Sequence, residues 1–156
     1  MDDGRPLGSP RLISAIEARS DRPLRGAALF FTAGAVQAMV RADNPMTSAK
    51  RQIEEVSARA VRNRLPFVVG LAVGFDGIDV YPTTLRGEVS GDPLFRLQVG
   101  EFSATTYRRL LVVGLVLVRA DQRRIDLETK AFPVGVNRHN ASVAHMIVKM
   151  VAGQVE

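Results

Sequence analysis

The nine residues from Leu110 to Val118 contain no charged or hydrogen-bonding side chain, and this run limits what the chain can fold into. It is shorter than the ~20 apolar residues a membrane-spanning helix needs, as is the other long uncharged segment, Gly26 to Val40. No transmembrane segment is expected. A strand with no polar side has to be covered on both faces, by its own sheet and by a helix packed on it. The remaining elements must supply that cover.

The period of the hydrophobic pattern changes at Leu65-Pro66. Before it, Thr32 can cap a short helix over 33–42, and Asn44-Pro45 opens a longer one running to Arg64. In the longer helix Ala49, Ile53, Val56 and Ala60 share a face, and Lys50–Glu54, Arg51–Glu55 and Glu55–Arg59 set opposite charges one turn apart. Beyond the proline the pattern is strand-like: Phe67 to Phe75, a turn at Asp76-Gly77, then Ile78 to Tyr81. Asp-Gly between β-rich runs predicts a hairpin with a type I′ turn. A polar loop from Pro82 to Pro93 follows, then strands at Phe95–Val99, Phe102–Tyr107, Leu110–Val118 and Arg124–Lys130. The chain closes with a helix capped near Asn137 or Asn140 and stopped near Gly153, whose apolar stripe is read as Val143, Met146, Ile147 and Met150.

The expectation is an α+β fold: a twisted, partly closed antiparallel sheet of six or seven strands, two preceding N-terminal helices and a C-terminal capping helix. Residues 1–25, rich in proline and arginine, read as a flexible leader, 26–65 as a helical part and 66–156 as the sheet with its last helix. The chain's 156 residues suit one domain, and an apolar fraction of 46% suits a folded one. From Leu65 onward, the hairpin at Asp76-Gly77, the long strands meeting near Asp121 and the helix from Arg138 to Ala152 resemble a pleckstrin-homology-like domain. That resemblance implies a binding module for phosphoinositides or peptides. Its lipid-binding members carry basic residues at the first hairpin, where this chain has Phe75-Asp76-Gly77, so inositol phosphate binding by that route is not expected and peptide or protein binding stays open.

No cysteine is present, which excludes disulfides, thiolate zinc sites and a cysteine nucleophile. The polar start Met1-Asp2-Asp3-Gly4-Arg5 is unlike a secretory signal, and the expected location is the cytoplasm. His139 and His145 are six apart, about 120° around a helix, and cannot share an ion if both are helical. His145 reads as solvated surface. The carboxylate pairs Glu54–Glu55 and Asp126–Glu128 are explained by helix ion pairs and by the wet face of a strand. Gly70 and Gly74 lack the lysine of a phosphate loop and read as packing positions within a strand. No catalytic residue, cofactor or metal ligand is assigned.

The functional expectation is a non-enzymatic module that offers a strand edge or the Pro82–Pro93 loop to a protein or peptide, with Arg86, Glu88 and Asp92 as candidate contacts. An alternative follows from the formal net charge of +5: an anionic ligand, nucleic acid or acidic lipid, held by Arg41, Arg59, Arg62 and Arg64 near a helix end. Those cations also complement the helix dipole, and few aromatics are available to stack on bases. A small-molecule pocket or weak enzyme within a bent sheet is the third alternative.

Overall fold

The computed structural model of the chain describes residues 5–34, 66–84, 86–109, 112–130 and 138–154. In chain order these form α1 (Pro10–Glu17), β1 (Leu24–Thr32), β2 (Val68–Gly74), β3 (Gly77–Pro82), β4 (Phe95–Gln98), β5 (Phe102–Arg109), β6 (Val112–Arg119), β7 (Arg124–Lys130) and α2 (Arg138–Gln154). The strands make one seven-stranded antiparallel sheet in the order β4-β3-β2-β1-β7-β6-β5. Two meanders, β1–β4 and β5–β7, meet at a short seam where Phe31 opposes Glu128 and Thr32 opposes Leu127.

The two edge strands are neighbours in sequence. Only Val99-Gly100-Glu101 separates the end of β4 from the start of β5. Four residue steps reach at most ~14 Å, whereas six interstrand spacings of ~4.8 Å would hold the edges of a flat sheet ~29 Å apart. The sheet therefore bends until one corner of each edge meets, and the Arg119 guanidinium of β6 comes 5.7 Å from the ring centre of Phe95 on β4. The connection is a tight turn: Glu101 N–H donates to the Gln98 carbonyl at 2.9 Å, and Gly100 takes φ +97°, a conformation that favours glycine. No ladder joins β4 to β5, so the expected partly closed barrel is an open sheet.

The segment read as a leader is part of the fold. Ser9 accepts a hydrogen bond from the Leu12 N–H at 3.4 Å and Pro10 opens α1, which buries Leu12, Ile13 and Ile16 against Ala27, Leu29, Phe31, Val68, Ala72 and Tyr81. Of the expected helices over 33–42 and 44–64, only Ala33 and Gly34 lie among the described residues, as a turn after β1. The described residues thus hold two helices, one before the sheet and one after it. The opposite face of the sheet packs on α2 through Ala144, Ile147, Val148 and Val151, the i, i+3, i+4, i+7 spacing of a helix face. Met146 is exposed and Met150 half-buried, so the apolar stripe is turned from the one expected. The smaller side chains let the helix sit close: a Cβ on Gly26 of β1 would lie 2.7 Å from Ile147 Cδ1.

Along its first residues β1 extends past the end of β7 and needs other partners on that side. Leu7 supplies one, accepting from Ala27 N–H and donating to the Arg25 carbonyl. Asn140 of α2 supplies the next: its Oδ1 accepts from Leu29 N–H at 2.8 Å and its Nδ2 donates to the Leu29 carbonyl at 3.0 Å. The hairpin near Asp76-Gly77 exists, but its turn residues are Phe75 and Asp76, and neither Asp76 nor Gly77 has positive φ. The turn is not type I′. Gly77 is a strand residue whose missing side chain lets β4 approach, since a Cβ there would lie 2.3 Å from the Leu97 carbonyl oxygen.

Candidate functional site

The Pro82–Pro93 loop folds back on itself through the Thr83–Val89 bridge and hydrogen bonds from Thr84 N–H to the Glu88 carbonyl and from Ser90 N–H to the Pro82 carbonyl. Its candidate contacts do not converge. Glu88 pairs with Arg11 of α1 at 2.9 Å and Asp92 with Arg19, just beyond α1, at 3.9 Å, while Arg86 is exposed. Two of the three side chains singled out in this loop thus tie it to α1. The alternative anion site, Arg41, Arg59, Arg62 and Arg64, lies outside the described residues. The arginine doublets fall at opposite ends of β6, Arg109 facing Val112 and Arg124 facing Val118.

Beside that loop runs a buried polar row. Asp79, Tyr81 and Thr83 occupy alternate positions on and just after β3 and face the same side of the sheet. Asp79 opposes Arg96 of β4, with Nε 3.5 Å from Oδ1, and Arg96 also reaches Asp21 at 3.8 Å. Among the described residues, Asp79 Oδ1, the Tyr81 hydroxyl and Thr83 Oγ1 have no hydrogen-bond partner. Burial pushes the Asp79 carboxyl above its ordinary value, with Arg96 and Arg22 pulling the other way. Burial also raises the Tyr81 hydroxyl, helped by the neighbouring Asp79 charge. Tight packing surrounds the row: a Cβ on Gly70 would meet Thr83 Cγ2 at 2.9 Å and Leu12 Cδ1 at 3.5 Å. The row gives the β3–β4 side a charged, closed rim.

The histidines make no catalytic pair. His145 is half-buried rather than solvated, and its Nε2 donates to the Lys130 carbonyl at 2.6 Å, while His139 is exposed. Among the described residues no group of three His, Asp or Glu side chains could hold a metal ion. No described helix is long and apolar enough to cross a membrane.

What stands open is β5. Among the described residues its eight residues pair only with β6, and Ser103, Thr105, Thr106, Arg108 and Arg109 are exposed, on both faces of the strand. The direction of its backbone groups follows from one hydrogen bond. Ala120 N–H donates to the Glu101 carbonyl at 3.0 Å, and in an antiparallel ladder bonded and non-bonded pairs alternate. Continuing that alternation along the register, Ser103, Thr105, Tyr107 and Arg109 turn their amides and carbonyls toward β6. Phe102, Ala104, Thr106 and Arg108 turn theirs to the outer side. The β6–β7 hairpin agrees: Arg119 N–H donates to the Arg123 carbonyl, which assigns the odd-numbered residues of β6 to β7 and the even-numbered ones to β5.

Two side chains of this strand turn away from its outer side. Tyr107 folds inward over β6, where a Cβ on Gly114 would lie 2.0 Å from the ring, and Arg109 stacks above the same ring at 5.1 Å. Burial raises the Tyr107 hydroxyl above its ordinary value, with the Glu128 carboxylate adding to the shift. The sequence shows this strand without showing that it lies at an edge. One signal is present: from Ser103 to Arg109 neither alternate set of residues is consistently apolar, as a strand with free faces allows. No family model, curated protein or solved structure matches the chain.

Proposed function

We propose that the protein is a non-catalytic binding module that takes an extended polypeptide as an added strand along β5. The observation that carries this reading is an eight-residue edge strand, exposed on both faces from Thr105 onward, whose ladder among the described residues runs on one side only. A long edge with an open ladder is the surface that strand addition uses: main-chain hydrogen bonds supply affinity and alternate side chains supply selectivity. The outward backbone groups of Phe102, Ala104, Thr106 and Arg108 set the register of the incoming strand.

The test uses the full chain at high dilution, titrated with a library of short extended peptides and followed through backbone amide resonances. Binders are expected to shift the amides of Phe102, Ala104, Thr106 and Arg108 ahead of those in β1–β3. Thr106→Pro removes an outward donor and leaves the β5–β6 ladder intact, so it abolishes binding without unfolding the chain. Peptides that bind Thr106→Pro as well as the parent, or that shift only amides elsewhere, overturn the reading.

A further inference from the structure

We infer that the strand β5 accepts is β5 of a second copy of this chain, antiparallel and centred on Thr105. The inference rests on the strand-addition reading above and adds the identity of the partner. Its basis is the order of side chains along the edge, Glu101-Phe102-Ser103-Ala104-Thr105-Thr106-Tyr107-Arg108-Arg109, which is complementary to itself when reversed.

The backbone limits the choice of register. In a bonded antiparallel pair both residues must turn their amides and carbonyls toward each other, so the outward set Phe102, Ala104, Thr106 and Arg108 must pair among itself. A two-fold axis at Thr105 does this, setting Ala104 against the partner's Thr106 and Phe102 against the partner's Arg108. Up to about eight main-chain hydrogen bonds can form across the axis. Thr105 then meets the partner's Thr105 in a non-bonded pair, where cross-strand side chains come closest and threonine pairs are favourable.

Charge selects this arrangement over the others. With the axis at Thr105, Glu101 falls opposite the partner's Arg109 at both ends of the joined strands, and no arginine faces an arginine. Glu101 and Arg109 are an even number of residues apart and so lie on the same face of the strand, as a cross-strand pair requires. Moving the axis to Ala104 or Thr106 sets Glu101 against Tyr107 or Leu111 and loses both pairs. A parallel, in-register arrangement stacks Arg108 on Arg108 and Arg109 on Arg109, which is repulsive. The folded chain leaves both ends available: Glu101 spends one oxygen, Oε2, on the Gln98 N–H at 3.1 Å, and Arg109 lies over Tyr107, inside the edge.

The experiment is sedimentation of the full chain over a range of concentrations, with charge reversals as the control. The parent is expected to rise from 17.0 kDa toward twice that mass as concentration increases. Glu101→Arg alone and Arg109→Glu alone are each expected to weaken self-association roughly tenfold or more, because each places two like charges opposite one another at both ends. An equal mixture of the two variants should associate as the parent does, since every like pair becomes an opposite pair, and the double variant should do the same. Recovery in the mixture also shows that both variants are folded. A parent that stays monomeric, or one whose association is indifferent to the reversals, overturns the inference. A monomer whose β5 amides still respond to foreign peptides overturns self-pairing alone, whereas a monomer whose β5 responds to none overturns the strand-addition reading as well.

Discussion

The two edges of this sheet are built differently, although only three residues separate them in the chain. β4 is four residues long, carries Arg96 and Gln98 on its exposed positions, and is joined to the loop after β3, where the Arg96–Asp79 pair and the ties from α1 close the rim. β5 is twice as long, is exposed on both faces from Thr105 onward and carries its charges, Arg108 and Arg109, at its C-terminal end alone. Short, charged edges are how soluble sheets avoid pairing with other chains. One edge therefore follows that rule and the other breaks it, and the exception is where contact with another polypeptide is expected.

Four measurements test the contrast between the two edges. Thr105→Pro has the largest expected effect: it removes an inward donor from the β5–β6 ladder and should cost about 3 kcal/mol in denaturant unfolding. Thr106→Pro, one residue along, should cost about 1 kcal/mol or less, because its donor points outward. Equal costs for the two would mean that the alternation derived for β5 is wrong. On the other edge, Gly77→Ala should cost about 1–3 kcal/mol, because its Cβ would collide with a backbone carbonyl of β4 that can move only by separating the strands. Hydrogen exchange should then quicken in β4 ahead of β5.

The smallest expected effect is that of Asp79→Asn. The folded value of this carboxyl is raised above the ordinary 3.8, because burial outweighs the attraction of Arg96. The folded state therefore holds the proton more tightly than the unfolded chain does, and this contribution grows as pH falls through the folded value. It is complete below the unfolded value and absent well above the folded one, where the buried charge is a cost. Asparagine carries no proton to gain, so the variant should lose this rise on acidification and be at least as stable as the parent at neutral pH. A variant clearly less stable at neutral pH would mean that attraction to Arg96, rather than burial, governs this carboxyl at the β4 rim.

The parts of the fold legible in the sequence are those with a local signal. The alternation of Arg124 to Lys130 and the apolar run before it correspond to β7 and β6, and the polar turn at Asp121 lies between them. β1 escapes such a reading because Gly26 to Phe31 is apolar on both sides, and periodicity cannot separate a strand covered twice from part of a helix. Leu12 to Ile16 reads as at most a brief helix within a leader because prolines and arginines dominate its surroundings, although Ser9-Pro10 is a proper helix start. The face of α2 is misjudged through its methionines. Met146 and Val148 are both apolar, so the helical period alone does not say which of them faces the sheet. At the candidate edge the strand itself is legible and its position at the sheet's margin is not, since strand order is set by contacts between residues far apart in sequence.

The seam between the meanders bears on how the molecule assembles. Within each meander paired residues lie at most 50 apart in sequence, whereas Phe31 and Thr32 must find Glu128 and Leu127, 97 and 95 residues along the chain. Loop closure of that length slows folding far more than it lowers final stability. β1–β4 and β5–β7 are thus expected to form early as separate units, with docking across the seam under α2 as the slow, cooperative last step.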